Sequence, residues 1–236
     1  RRTYDTSTAH LLIVAPTERE LARTLPSRIT GFGVATVGLG QLAAKNLRKV
    51  LVARPPQVVL SVGFAGALRP EFSTGDIVVS PQASTVQLPN RLHTLDSDCS
   101  QAALEALQDA GLKASFGNVL TVPKPLLTEY DKQAHGLQTK ASITDMESYW
   151  INETALTLGV PNIVLKSVLD PMNQTLPKFV GEATSVQDNH RVMRAIGYLA
   201  TNISDTAMLI KLSKQVKIAS DSINRFLQQS VASGIL

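Results

Sequence analysis

Val58-Val59-Leu60-Ser61-Val62-Gly63-Phe64-Ala65-Gly66-Ala67-Leu68 is the stretch on which the fold turns. Val58 to Gly63 is a nearly continuous apolar run, the pattern of a strand buried on both faces. Gly63-Phe64-Ala65-Gly66-Ala67 follows and reads as a small-residue loop, where backbone lies open to close approach. Ligands of open α/β sheets bind beyond the carboxyl ends of the strands, so this loop is also a first candidate for a site. On its own it suits a tight turn better than a ligand cradle.

Upstream, Leu11 to Ala15 has the same buried-strand character, and Pro16-Thr17 ends it. Glu18 to Leu25 reads as a helix, with Thr17 as N-cap and Glu20 completing a capping box. Phe32 to Val37 is a second strand, followed by the turn Gly38-Leu39-Gly40. A helix from Gln41 to Ala53 comes next, with Leu42, Leu47 and Val50 on one face. Downstream, Gly75-Asp76 turns into a strand through Ser80, and Leu88 to Asp98 reads as a polar loop. Gln101 to Ala110 is a helix closed by Gly111. Gly117 to Val122 is a strand, Pro123 to Thr128 a loop, and Ile151 to Leu158 a helix stopped by Gly159. Asn162 to Leu169 is a further buried strand.

This alternation predicts a single α/β domain with a central, largely parallel mixed sheet flanked by helices. Residues 1–10 form a flexible lead, 11–190 the α/β domain, and 191–236 a helical C-terminal extension of it. Pro171 to Asp188 reads as a long loop and His190 to Ile235 as helical. Within that tail Leu209, Leu212, Val216, Ala219, Ile223 and Phe226 make an amphipathic stripe, with Lys211, Lys214, Lys217 and Arg225 mostly off it. The stripe is open to two uses, packing on the chain's own core or a peripheral membrane contact.

The bulk properties exclude several classes. Of the 236 residues 44% are hydrophobic and 18% charged, which is a globular balance. The net charge of +4 is scattered rather than gathered in one patch, so nucleic acid is not an expected partner. The single cysteine, Cys99, permits no intrachain disulfide and suits a cytoplasmic location. It sits in a polar run before a helix with no base suggested nearby. No apolar run reaches the roughly 18 residues that span a bilayer. His10, His93, His135 and His190 form no metal-ligand spacing, and no serine-hydrolase elbow is present.

Two acids carry the chemical reading. In Thr144-Asp145-Met146-Glu147-Ser148, Glu147 either grips two vicinal hydroxyls, as a ribose presents, or is a solvated acid at a helix start. Asp170 ends the strand from Asn162 and precedes Pro171. There it is either a turn residue or a desolvated acid able to protonate a leaving base.

The ordered set of motifs resembles the purine nucleoside phosphorylase and methylthioadenosine/S-adenosylhomocysteine nucleosidase superfamily. Its carriers are Gly63-Phe64-Ala65-Gly66-Ala67-Leu68, Gly75-Asp76-Ile77-Val78-Val79, Gly38-Leu39-Gly40, Met146-Glu147 and Asp170. Asp145-Met146-Glu147-Ser148, Asp170-Pro171 and the basic tail look closest to the phosphorylase branch associated with hopanoid biosynthesis. The resemblance implies cleavage of the N-glycosidic bond of an adenine-type nucleoside, with adenosyl-hopane as a candidate. It implies no cofactor, inorganic phosphate as the favoured co-substrate with water the runner-up, and a homo-oligomer. Hydrolysis of methylthioadenosine, S-adenosylhomocysteine or futalosine is the alternative, and a non-catalytic nucleoside-binding protein a further one. Residue by residue, Asp170 would be the general acid, and Glu18 or Glu20 the acid that activates water. Gly63, Phe64, Ala65, Gly66, Met146, Glu147 and Asn173 would contact substrate, and Gly38, Gly40 and Arg19 phosphate. Many members carry Ser or Thr where Phe64 stands, a hydroxyl that helps hold the nucleophile.

Overall fold

A computed structural model describes residues 10–25, 32–88, 91–178, 180–181 and 205–232. Among the described residues ten strands form one mixed sheet, built around the strand read first in the sequence. That strand, β3 (Val58–Ala67), follows β1 (Leu11–Ala15), α1 (Glu18–Thr24), β2 (Gly33–Thr36) and α2 (Gln41–Ala53). After it come β4 (Ile77–Ser80), β5 (Gln82–Thr85), β6 (Leu92–Thr94), α3 (Ser97–Asp109), β7 (Ala114–Phe116) and β8 (Val119–Thr121). The remainder is α4 (Glu129–Thr139), β9 (Ile143–Asp145), α5 (Ser148–Thr157), β10 (Asn162–Asp170) and α6 (Asp205–Ala232).

Strand β3 is long enough to take different neighbours along one edge. Its first half pairs in parallel with β1, and its end pairs antiparallel with β9. Its other edge pairs in parallel with β10. Six of the nine strand pairs among the described residues are parallel, as the alternation of elements predicts.

Burial follows the strand faces. Ile13, Leu60, Val62 and Leu165 meet α1, α3 and α6 on one face through Leu21, Leu107, Ile223 and Phe226. Leu12, Val14 and Val59 meet α2 and α5 on the other through Leu47, Leu51 and Ile151. The C-terminal stripe therefore turns Ala219, Ile223 and Phe226 into the chain's own core, and Lys211, Lys214, Lys217 and Arg225 outward. Among the described residues no helix is long and apolar enough to cross a membrane.

Several sequence expectations need correction. Gly63 to Ala67 is not a loop: β10 runs alongside and supplies partners through Gly66, so the strand continues. Leu88 to Asp98 is not all loop, because Leu92–Thr94 pairs with β5 and α3 starts at Ser97. The Asp96 side chain accepts the Cys99 N–H at 2.8 Å, which caps α3 and places Cys99 inside its first turn. Helix α5 starts at Ser148, three residues before Ile151, because Asp145 accepts the Ser148 N–H. Strands β5, β7 and β9 and helix α4 were not anticipated. The lead 1–9 and the tail residues 190–204 and 233–235 lie outside the described residues.

Candidate active site

Strands β3 and β10 place the chemistry. Their register sets Lys166 opposite Gly63 and Asp170 opposite Gly66, with a bulge between Val168 and Asp170 that re-aims the last carboxylate. Both glycines are positions of close approach. A Cβ on Gly63 would lie 3.0 Å from Glu20 Oε2 and 3.3 Å from Lys166 Nζ. A Cβ on Gly66 would lie 3.1 Å from Asp170 Oδ2. Each bare backbone thus makes room for one acidic group.

A cavity of about 280 Å³ opens at this end of the sheet. Glu20, Asp145, Glu147 and Asp170 all line it. Its floor is Phe64, Ala65 and Gly66, and Met146 adjoins the acids. An apolar wall is made by Leu39, Val122, Leu126, Leu176 and Val180.

At one end a buried lysine, unanticipated from the sequence, gathers the acids. Lys166 is wholly buried, with Nζ 2.7 Å from Glu147 Oε1 and 3.0 Å from Asp145 Oδ2. Asp145 also accepts from the Thr121 hydroxyl at 2.8 Å and from the Ser148 hydroxyl and amide. Glu20 accepts from the Thr17 hydroxyl at 3.2 Å and from the Phe64 amide. One cation faces three carboxylates, so the cluster retains a proton near neutral pH. Burial pushes Glu147 up to about 8 against the attraction of Lys166, and Asp145 and Glu20 push it further the same way. Burial also raises Glu20, opposed by Lys166 and Thr17. Burial alone would lower Lys166, yet Glu147 and Asp145 hold it above the ordinary lysine range.

At the other end Asp170 is 5% exposed, and burial raises its carboxyl against the opposing pull of Lys132. Lys132 Nζ lies 2.6 Å from Asp170 Oδ2.

The remaining candidate residues fall outside this arrangement. Glu18 and Arg19 are exposed and do not line the cavity, so of the two acids of α1 the structure brings Glu20 to it. Asn173 is exposed and also off the lining. The Gly38 amide donates to Pro16 O at 3.0 Å and the Gly40 amide to Met146 O at 3.1 Å, so both hydrogens are committed within the protein. Among the described residues no lysine, arginine or histidine lines the cavity, and no group of three or more His, Cys, Asp or Glu side chains is arranged to hold a metal ion.

A family model described as the phosphorylase superfamily matches residues 33–203. The 5'-methylthioadenosine/S-adenosylhomocysteine nucleosidase of Staphylococcus carnosus is 26% identical over 168 residues, covering 62% of this chain and 73% of that one. A DeoD-type purine nucleoside phosphorylase of Caldanaerobacter subterraneus is 22% identical over 187 residues, covering 74% of each. Among solved structures, a Helicobacter pylori nucleosidase of the former type with butyl-thio-DADMe-Immucillin-A superposes with a TM-score of 0.71 at 14% identity, covering 96% of this chain and 99% of that one. Native futalosine hydrolase of the same organism superposes at 0.69 and 15% identity, covering 94% and 97%. These two likenesses establish the α/β fold.

Proposed function

The chain belongs to the phosphorylase superfamily, and from that premise we propose that it hydrolyses the N-glycosidic bond of an adenine-type purine nucleoside. The observation that carries this reading is one cavity with a base-ready carboxylate cluster at one end and a buried acid at the other. Glu147 accepts hydrogen bonds from the ribose hydroxyls. Glu20, its basicity raised by burial, takes a proton from water as the oxygen attacks the anomeric carbon. The bond from that carbon to the base breaks, and Asp170 gives its proton to a purine ring nitrogen. Positive charge that builds on the sugar meets the carboxylate cluster, and negative charge on the base meets Asp170.

Water rather than phosphate is favoured by charge. A phosphate dianion would enter beside Glu20 and Glu147 with no cation on the described lining, and the Gly38 and Gly40 amides are already engaged. Relatives that are nucleosidases and a relative that is a phosphorylase are both compatible with the family, so the nucleophile rests on this argument. The apolar wall of Leu39, Val122, Leu126, Leu176 and Val180 supports an apolar 5′ substituent, a class that includes adenosyl-hopane and methylthioadenosine.

The test is a panel of adenine nucleosides assayed for base release with and without inorganic phosphate. The expected result is equal adenine release in both, with free ribose and no ribose 1-phosphate. Strict phosphate dependence would transfer the nucleophile to phosphate, and no release from any nucleoside would leave a binding protein. Glu147→Gln is expected to raise the KM of ribosides about tenfold or more, the scale of a charged hydrogen bond, and to leave 2′,3′-dideoxy analogues much less changed. Equal losses for both would remove the hydroxyls as its target.

A further inference from the structure

Helix α4 brings a second buried lysine against Asp170, behind the cavity lining, and the glycosidase reading gives it no task. Thr128 caps the helix by accepting the Asp131 N–H. Gly136 lets it approach β3 closely, since a Cβ there would sit 2.5 Å from Leu68 O. One turn earlier, Lys132 is wholly buried. Its Nζ has Asp170 Oδ2 at 2.6 Å, Gln174 O at 2.7 Å and Pro171 O at 3.0 Å. All three are acceptors, and a lysine satisfies three acceptors only as the ammonium with three hydrogens. The carbonyls are held in turn. Gln174 exchanges side-chain hydrogen bonds with Gln215 of α6 at 3.0 and 2.8 Å, and Gln215 donates to Thr74. Thr74 donates to Leu169 O, beside Asp170 itself.

We propose that Lys132 is the positioning residue of the leaving-group acid: it holds Asp170 by one carboxyl oxygen and keeps a positive charge beside the carboxylate that remains once the proton has gone to the departing base. No proton leaves Lys132. The proton moves from the Asp170 carboxyl to the purine nitrogen as the glycosidic electron pair leaves with the base. The new anion then sits in a dry site, where an adjacent ammonium is worth far more than in water. The contrast with Lys166 is one of balance. Lys166 pairs with Glu147 and Asp145 and also attracts Glu20, leaving surplus negative charge for the sugar, whereas Lys132 pairs with Asp170 alone among the described ion pairs.

This inference rests on the glycosidase reading, and a double-mutant cycle separates the two. Adenine release is measured for the wild-type protein, Lys132→Met, Asp170→Asn and the double variant, with kcat and KM resolved. Lys132→Met is expected to lower kcat about tenfold to a hundredfold, part of what a general acid supplies, with KM within about threefold. On the Asp170→Asn background it should cost nothing further, because Lys132 acts only through that carboxyl. Lys132→Gln keeps a polar amide without the charge, so it should lose kcat to a similar degree. A wild-type kcat retained in both folded variants would overturn the proposal. So would an equal loss on the Asp170→Asn background, or loss of fold in both variants, since either assigns Lys132 to the core. Absence of base release by the wild-type protein would instead defeat the glycosidase reading itself.

Discussion

Asp170→Asn is expected to lower kcat for adenine release by about a hundredfold to ten-thousandfold, the range a positioned general acid contributes, while nucleoside binding stays near its wild-type strength. The substitution changes one atom and no volume. The Asn carbonyl can still accept from Lys132, so the short contact that fixes the side chain has a replacement. Gly66 leaves the same open backbone beside it. What disappears is the transferable proton. The departing purine must then leave as an anion into a cavity whose other end already carries surplus negative charge. Single-turnover base release and equilibrium binding of an uncleaved nucleoside analogue would check both halves. Turnover within a factor of a few of wild type would take Asp170 out of the reaction. Weakened binding with unchanged kcat would make it a substrate contact instead.

How much of this was legible in the sequence depends on the kind of signal. The buried runs Leu11–Ala15, Val58–Gly63 and Asn162–Leu169 announce strands through composition alone, and the capping box at Thr17 and Glu20 announces α1; both are local. Asp170 and Glu147 are legible because each stands at the end of an element, where a strand or helix hands a side chain to a cavity. Lys166 carries a signal of another kind. A lysine inside Asn162-Ile163-Val164-Leu165-Lys166-Ser167-Val168-Leu169 cannot be buried without an anionic partner, and Asp145-Met146-Glu147 offers two acids in one short run. Lys132 carried none. It lies in the polar run Glu129-Tyr130-Asp131-Lys132-Gln133, where a lysine ordinarily faces water, and only the close approach of α4 at Gly136 buries it. Strands β5, β7 and β9 are three or four residues long, too short for an alternation to mark them. The difference between Glu18 and Glu20 is likewise a matter of helix phase: Glu20 lines the cavity and Glu18 is exposed.

Lys166→Met should destabilise the fold by about 3–5 kcal/mol at pH 8, the scale of leaving buried charge without its partner. Lys166 is the cation in contact with Glu147 and Asp145 and the one nearest to offsetting Glu20. Methionine fills the same space and supplies no charge, so the loss is electrostatic rather than a cavity. Its dependence on pH has a defined sign. Glu147 has a folded-state value of about 8 against an ordinary 4.5, so the folded chain holds this proton more tightly than the unfolded chain. The stability linked to that proton is complete below about 4.5 and drains away as pH rises towards about 8. Removing Lys166 takes away the attraction that restrains Glu147 and Glu20, so both carboxyls move higher and the loss continues to higher pH. In acid the carboxyls are protonated in both proteins, and the variant's deficit should shrink. Urea unfolding at pH 5 and pH 8 is the measurement, with a gap in midpoint between wild type and variant that is wide at pH 8 and narrow at pH 5. An equal gap at both values would mean that Lys166 stabilises through packing alone. The carboxylates that the proposed reaction uses would then not be organised by its charge.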